Sequence, residues 1–275
     1  MLKRFLRLFD ITLLPKLTAI HRTLLFQVVQ RNIAARYRGS LLGGIWCFIQ
    51  PLLMLCVYTF VFSVIFQSRW DVNIENKGAF AVIMFCGMAL FNIFSESVSS
   101  NCGIILNNTN YVQKVIFPLE MLPLAQVITT FIYGLVWFIL LFCGVIFLFG
   151  KISWTMFLII PILLILLLFS LGVSYFVASL GVYIRDTTYV VQVILQILFF
   201  MTPIFYPVEK VPEQFRLPLQ INPLTILIEE ARKVFLYGEL PDWKFLGIAL
   251  LVSLVVLQLG FAFFHKTQKG FADVL

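Results

Sequence analysis

Arg31, Arg36 and Arg38 fall within RNIAARYRGSLLGGIWCFIQP (residues 31–51), a stretch with no acid that runs straight into a long apolar block. Guanidinium groups grip phosphate through paired, charge-assisted hydrogen bonds, so three of them beside a membrane segment can meet phosphate at the membrane surface. The same charges would also hold anionic lipid headgroups or anchor a first span on the cytoplasmic side. Other reactive chemistry is sparse. The two histidines, His21 and His265, stand near opposite ends of the chain, and neither His-Glu-x-x-His nor Gly-x-Ser-x-Gly occurs. FGKIS (149–153) lacks the upstream Gly of a phosphate loop and the Ser or Thr directly after Lys151. With no nucleophile, base or metal constellation to assemble, the sequence predicts no catalytic residue, no metal, no cofactor and no ATP hydrolysis of its own. Cys47, Cys56, Cys86, Cys102 and Cys143 lack metal-ligand spacing and read as small packing residues.

The elements that must position these arginines are apolar helices. Hydrophobic residues make up 61% of the chain and charged ones 12%, with a mean hydropathy of +1.00. Too little polar surface remains for a soluble fold of this length. Six blocks approach the roughly 20 residues a helix needs to cross a bilayer: 41–66, 79–99, 123–149, 154–184, 189–205 and 243–264. Continuous apolar runs satisfy their backbone internally as helices, whereas barrel strands would alternate. The expected fold is an all-α integral membrane protein of six transmembrane helices. Phe5 to Leu14 is broken by Arg7 and Asp10 and precedes no small-residue cleavage site, so a cleaved leader is not expected. Eight cations before the first span (Lys3, Arg4, Arg7, Lys16, Arg22, Arg31, Arg36 and Arg38) face the single acid Asp10, which predicts a cytoplasmic N-terminus. Six spans would return the C-terminus to the same side.

The expected organisation is a cytoplasmic N-terminal segment (1–40), a transmembrane domain (41–264) and a cytoplasmic tail (265–275). Within the first segment, residues 16–38 read as an amphipathic interfacial helix with Leu17, Ile20, Leu24 and Val28 on one face. The polar-to-amphipathic connection 107–117 reads as a short cytoplasmic helix open to another protein, or as a solvated connector. The outer connection 207–241 holds five prolines yet stays apolar. There Asn222 is a good N-cap, Pro223 suits the first helical position and Gly238 can end the helix. Leu224, Leu227, Ile228, Ala231, Val234 and Phe235 would share one face, with Glu229, Glu230, Arg232 and Lys233 on the other. The result is a short re-entrant element or a structural cap. Glu96, in FNIFSESVSS, faces a watery path or sits near the inner interface. Ser170, Ser174 and Ala178, with Gly172 and Gly181 nearby, form a small-residue face for close helix packing.

Four stretches carry a resemblance: RYRGSLLGGIWCFIQPLLMLCVYTFVFSVIF, VQKVIFPLEMLPL, RDTTYVVQVILQILFFMTPIFYP and INPLTILIEEARKVFLYG. They resemble, in order and over nearly the whole chain, the membrane permeases of polysaccharide-export ABC transporters, which move O-antigen, teichoic acid or capsular chains. The resemblance implies a homodimer in the bacterial inner membrane, two copies of a separate cytoplasmic ATP-binding subunit, and a lipid-linked polysaccharide as substrate. Membrane lipid is the remaining partner and nucleic acid is not one. It also implies a path between the two permeases along their first and fifth spans, which makes Trp46, Phe48, Tyr58, Phe62, Tyr189, Phe199, Phe200 and Phe205 candidate channel aromatics. Asn108, Tyr111, Lys114 and Glu120 become candidates for coupling to the ATPase, and Arg31, Arg36 and Arg38 candidates for holding the lipid-linked pyrophosphate of the carrier. Leu119 departs from the basic residue more usual before that Glu. Outside this class, an intramembrane glycosyl- or phosphotransferase acting on a lipid-linked sugar is the competing expectation.

Overall fold

The computed structural model describes residues 13–65, 77–113, 117–150 and 152–275, and among them it contains helices and no strand. Two N-terminal helices, α1 (Leu13–Ile20) and α2 (Arg22–Arg36), lead into α3 (Trp46–Thr59), which continues as π-helical turns to Ile65. Next come α4 (Lys77–Asn101), the single turn α5 (Thr109–Gln113), α6 (Met121–Phe149), α7 (Ile159–Tyr183) and α8 (Thr187–Met201). The pair α9 (Glu213–Ile221) and α10 (Pro223–Arg232) precedes α11 (Trp243–Thr267) and the short α12 (Phe271–Val274).

Four of these segments are long and apolar enough to cross a membrane: Phe80–Asn101, Met121–Leu148, Trp154–Tyr183 and Trp243–Val274. The first and fifth expected spans correspond to shorter apolar helices, Gly43–Thr59 and Thr187–Met201. At 1.5 Å per residue α8 rises about 22 Å, short of a hydrocarbon core of about 30 Å. Thr202 to Phe205, expected as the end of that span, instead leave the helix just before Pro203 and stay buried as irregular backbone.

Helix α4 is the axis of the molecule. Met84, Cys86, Ala89 and Leu90 are fully buried, with α6, α7 and α10 packed around them. Its neighbour α7 lies along α11, and small residues permit the approach: the Gly172 carbonyl abuts Gly260, and Gly181 sits against the Cys102 carbonyl. Ser170, Ser174 and Ala178 are fully buried on α7, and the Ser174 hydroxyl donates to the Ser97 carbonyl at 3.1 Å. Those side chains occupy the close-packing face that their spacing implied.

The structure adds three details to the sequence reading. The N-terminal helix is interrupted at His21, and α2 docks on α6, where Val28 and Val29 are both buried while Ile20 is exposed. Both valines join the core cluster that α6 contributes to, and the Tyr133 hydroxyl donates to the Ile33 carbonyl at 2.8 Å. At the other end α11 runs to Thr267, and Phe271 is fully buried against Phe264 and Tyr183. On α10, Glu230 and Arg232 are buried and do not lie on a solvated face.

Candidate functional site

The three arginines have three different environments. Arg31 donates to the Tyr111 hydroxyl at 2.7 Å and to the Asn108 side-chain oxygen at 3.4 Å, tying α2 to α5. Arg36 forms an ion pair with Glu96 and lies 4.3 Å over the Tyr133 ring, so its charge is met by a carboxylate and an aromatic face. Arg38 is exposed beyond the end of α2, with no side-chain hydrogen bond or ion pair among the described residues. Of the three, Arg38 has the guanidinium left uncommitted to a protein partner.

A cavity of about 260 Å³ opens beside the Arg36–Glu96 pair. The α2–α3 turn, α3, α4 and α6 wall it with Tyr37, Cys47, Gln50, Asn92, Ser95, Ser99, Thr130, Tyr133 and Trp137. Most of that lining is polar, an arrangement hydrophobic helices would otherwise close.

The candidate coupling residues separate. Asn108 stands just before the single turn α5, Tyr111 lies within it, and both meet Arg31. Lys114 lies outside the described residues. Glu120 is buried at the start of α6, where His265 Nδ1 approaches one carboxylate oxygen at 3.0 Å and Gln268 donates to the same atom at 2.7 Å. Burial pushes that carboxyl up, but its hydrogen bonds to His265 and Gln268 outweigh the cost and hold it below the ordinary carboxylate range. Glu120 thus fastens the entrance of α6 to the end of α11.

The candidate channel aromatics divide as well. Tyr58, Phe199 and Phe205 pack on one another, with centroids 5.4 Å apart for Tyr58 and Phe205 and 5.1 Å for Phe199 and Phe205, and Phe91 of α4 closes the group at 5.0 Å from Phe199. That cluster packs onto the core, with Phe205 buried and Tyr58 and Phe199 half-buried. Trp46, Phe48, Tyr189 and Phe200 are exposed on α3 and α8. The Phe62 side chain lies outside the described residues.

Residues 23–236 match the ABC-2 type transporter family. The chain is 32% identical over 259 residues to the O-antigen export system permease protein RfbA of Myxococcus xanthus, covering 92% of this chain and 95% of the relative. It is 27% identical to a protein of the same name from Klebsiella pneumoniae, over 92% and 95%. Identity to the polysialic acid transport protein KpsM of Escherichia coli is 23%, over 87% and 92%. The chain belongs to the ABC-2 type transporter family.

In this ABC-2 type transporter the residue that sequence reasoning missed is Arg232. It is fully buried, and it donates to the carbonyls of Pro203 at 2.8 Å and Ile204 at 3.0 Å and to Glu229 at 2.7 Å. Those two carbonyls belong to the irregular stretch after α8, which has no helix to satisfy it. Gly87 of α4 makes room, since a side chain there would meet the guanidinium at 3.0 Å. The legible signal was the Glu229–Arg232 spacing of one turn.

Proposed function

We propose that the chain is the membrane permease subunit of an ATP-driven exporter of lipid-linked polysaccharide, with O-antigen as the favoured substrate. The observation that carries this reading is the similarity to O-antigen export permeases along almost the full length of both chains. In this reading six helices cross the bacterial inner membrane, both termini face the cytoplasm, and α9 with α10 form a re-entrant element on the outer side. Two copies pair through the faces of α3 and α8, where Trp46, Phe48, Tyr189 and Phe200 meet the glycan, and two ATP-binding subunits dock below. Arg38 is the arginine best placed to meet the carrier's phosphate. Co-expression with the cognate ATPase, purification, and mass spectrometry of the bound glycolipid test the reading. We expect a complex carrying a lipid-linked O-antigen, and cells lacking the permease should retain that glycolipid on the cytoplasmic side. A capsular glycan in its place would move the substrate toward that of the polysialic acid relative; no glycolipid and no ATPase would overturn the proposal.

The Arg31–Tyr111 contact supports a coupling role for α5, because a push on that turn is passed to α2. Tyr111→Phe removes the hydroxyl and keeps the ring. At this exposed position the loss is about 1 kcal/mol, or roughly fivefold in an equilibrium. We expect glycan exported per ATP hydrolysed to fall severalfold in vesicles while the permease level stays constant. An unchanged ratio would remove Tyr111 from the coupling path.

A further inference from the structure

We propose that the cavity beside Arg36 and Glu96 is a binding pocket for a single neutral sugar ring, the one that adjoins the phosphate of the lipid-linked glycan. The proposal deepens the export reading and rests on it. The first argument is charge. Arg36 is already paired with Glu96, so the pocket is close to neutral, and a phosphate would have to break that pair to reach the guanidinium. A polyhydroxylated ring need not, because each hydroxyl both donates and accepts: Glu96 can receive one while Arg36 gives to another.

The second argument is unused hydrogen-bonding capacity. Exposed Gln50 and half-buried Ser95 line the cavity yet make no side-chain hydrogen bond among the described residues, and the Asn92 amide gives one N–H to the Met88 carbonyl at 2.9 Å, which leaves its other N–H and its oxygen to pair. Polar groups in a membrane protein are costly unless something pairs with them. The third is size. A volume of about 260 Å³ equals about nine waters at roughly 30 Å³ each, on the scale of one sugar ring.

Position completes the case. The cavity is walled by the turn after α2, and Arg38, with its guanidinium uncommitted, stands in that turn two residues beyond Arg36. A glycan on a diphosphate carrier presents a phosphate and a sugar as neighbours, and this turn presents an arginine and a neutral pocket as neighbours.

Cys47 lines the cavity and reports its occupancy, while the fully buried Cys86 and Cys102 serve as internal references. The wild-type permease with its ATPase, in lipid nanodiscs, is treated with a small methanethiosulfonate, and modification of Cys47 is quantified by peptide mass spectrometry. The probes are farnesyl diphosphate carrying one hexose, farnesyl diphosphate alone and inorganic pyrophosphate. At roughly ten times its dissociation constant the hexose-bearing probe leaves about one site in ten free, so Cys47 labelling should slow about tenfold. The two sugar-free probes should leave the rate unchanged, and Glu96→Gln or Gln50→Ala should weaken protection by the hexose-bearing probe. Equal protection by farnesyl diphosphate alone would make the cavity a phosphate or lipid site and overturn the proposal. No protection by any probe, in a complex that still exports glycan, would overturn it while leaving the export reading intact.

Discussion

Replacing Arg232 with leucine should destabilise the transporter by about 3–5 kcal/mol, the range for removing one partner of a buried, hydrogen-bonded charge pair. The substitution strips the donor from the carbonyls of Pro203 and Ile204 and leaves Glu229 without its cation. It hurts most at the irregular stretch after α8: the Ile83 carbonyl, 3.4 Å from Arg232 Nε, belongs to a helix with its own ladder, whereas Pro203 and Ile204 have none. Lysine should recover only part of the loss, because a single ammonium cannot reach both carbonyls and the carboxylate in the planar geometry the guanidinium uses. Arg185, exposed after α7, is the control, and Arg185→Leu should stay within about 0.5 kcal/mol of wild type. Melting of the detergent-solubilised protein, followed by the fraction that stays monodisperse on heating, reads the difference. If Arg232→Leu melts with wild type, the guanidinium does not hold the stretch after α8.

What the sequence made legible and what it hid follow from one distinction. Hydropathy reports how much lipid or core a segment can tolerate, and it located α4, α6, α7 and α11 closely. It could not see that Thr202 to Phe205 leave the helix, because Ile204 and Phe205 are as apolar as the span before them; Pro203 was the available warning. The helical wheel of α10 sorted Arg232 with the charged side, yet α4 covers that side, and a wheel holds no information about what packs against it. Pairs distant in the chain were hidden for a related reason. Arg36 and Glu96 are brought together by the docking of α2 against α6, and Glu120 meets His265 and Gln268 only because α11 runs past the start of α6. The arginine cluster was therefore legible as chemistry but not as three distinct environments. One arginine is tied to α5, one is neutralised beside a cavity, and one is uncommitted.

Gly172→Ala should weaken the contact between α7 and α11 far more than Gly247→Ala, although all that changes in either case is one methyl group. A Cβ on Gly172 would meet the Leu257 backbone nitrogen at 2.5 Å and its Cα at 2.6 Å, and backbone cannot rotate out of the way as a side chain can. Around Gly247, on the same α11, nothing lies within 4 Å, so alanine there adds helix propensity without a clash. Overpacking of this kind costs about 1–3 kcal/mol, and the backbone contact places Gly172 at the upper end. Gly260 closes the same approach from the other helix, where its hydrogen faces the Gly172 carbonyl. The two glycines thus guard one gap. The double variant Gly172→Ala, Gly260→Ala should lose less stability than the sum of the single losses, since helices already pushed apart by one methyl make room for the other. Thermal melting of the four proteins in one detergent gives the coupling directly. Strict additivity would mean that the two positions act on separate contacts and that small residues at this crossing do not set the distance between α7 and α11.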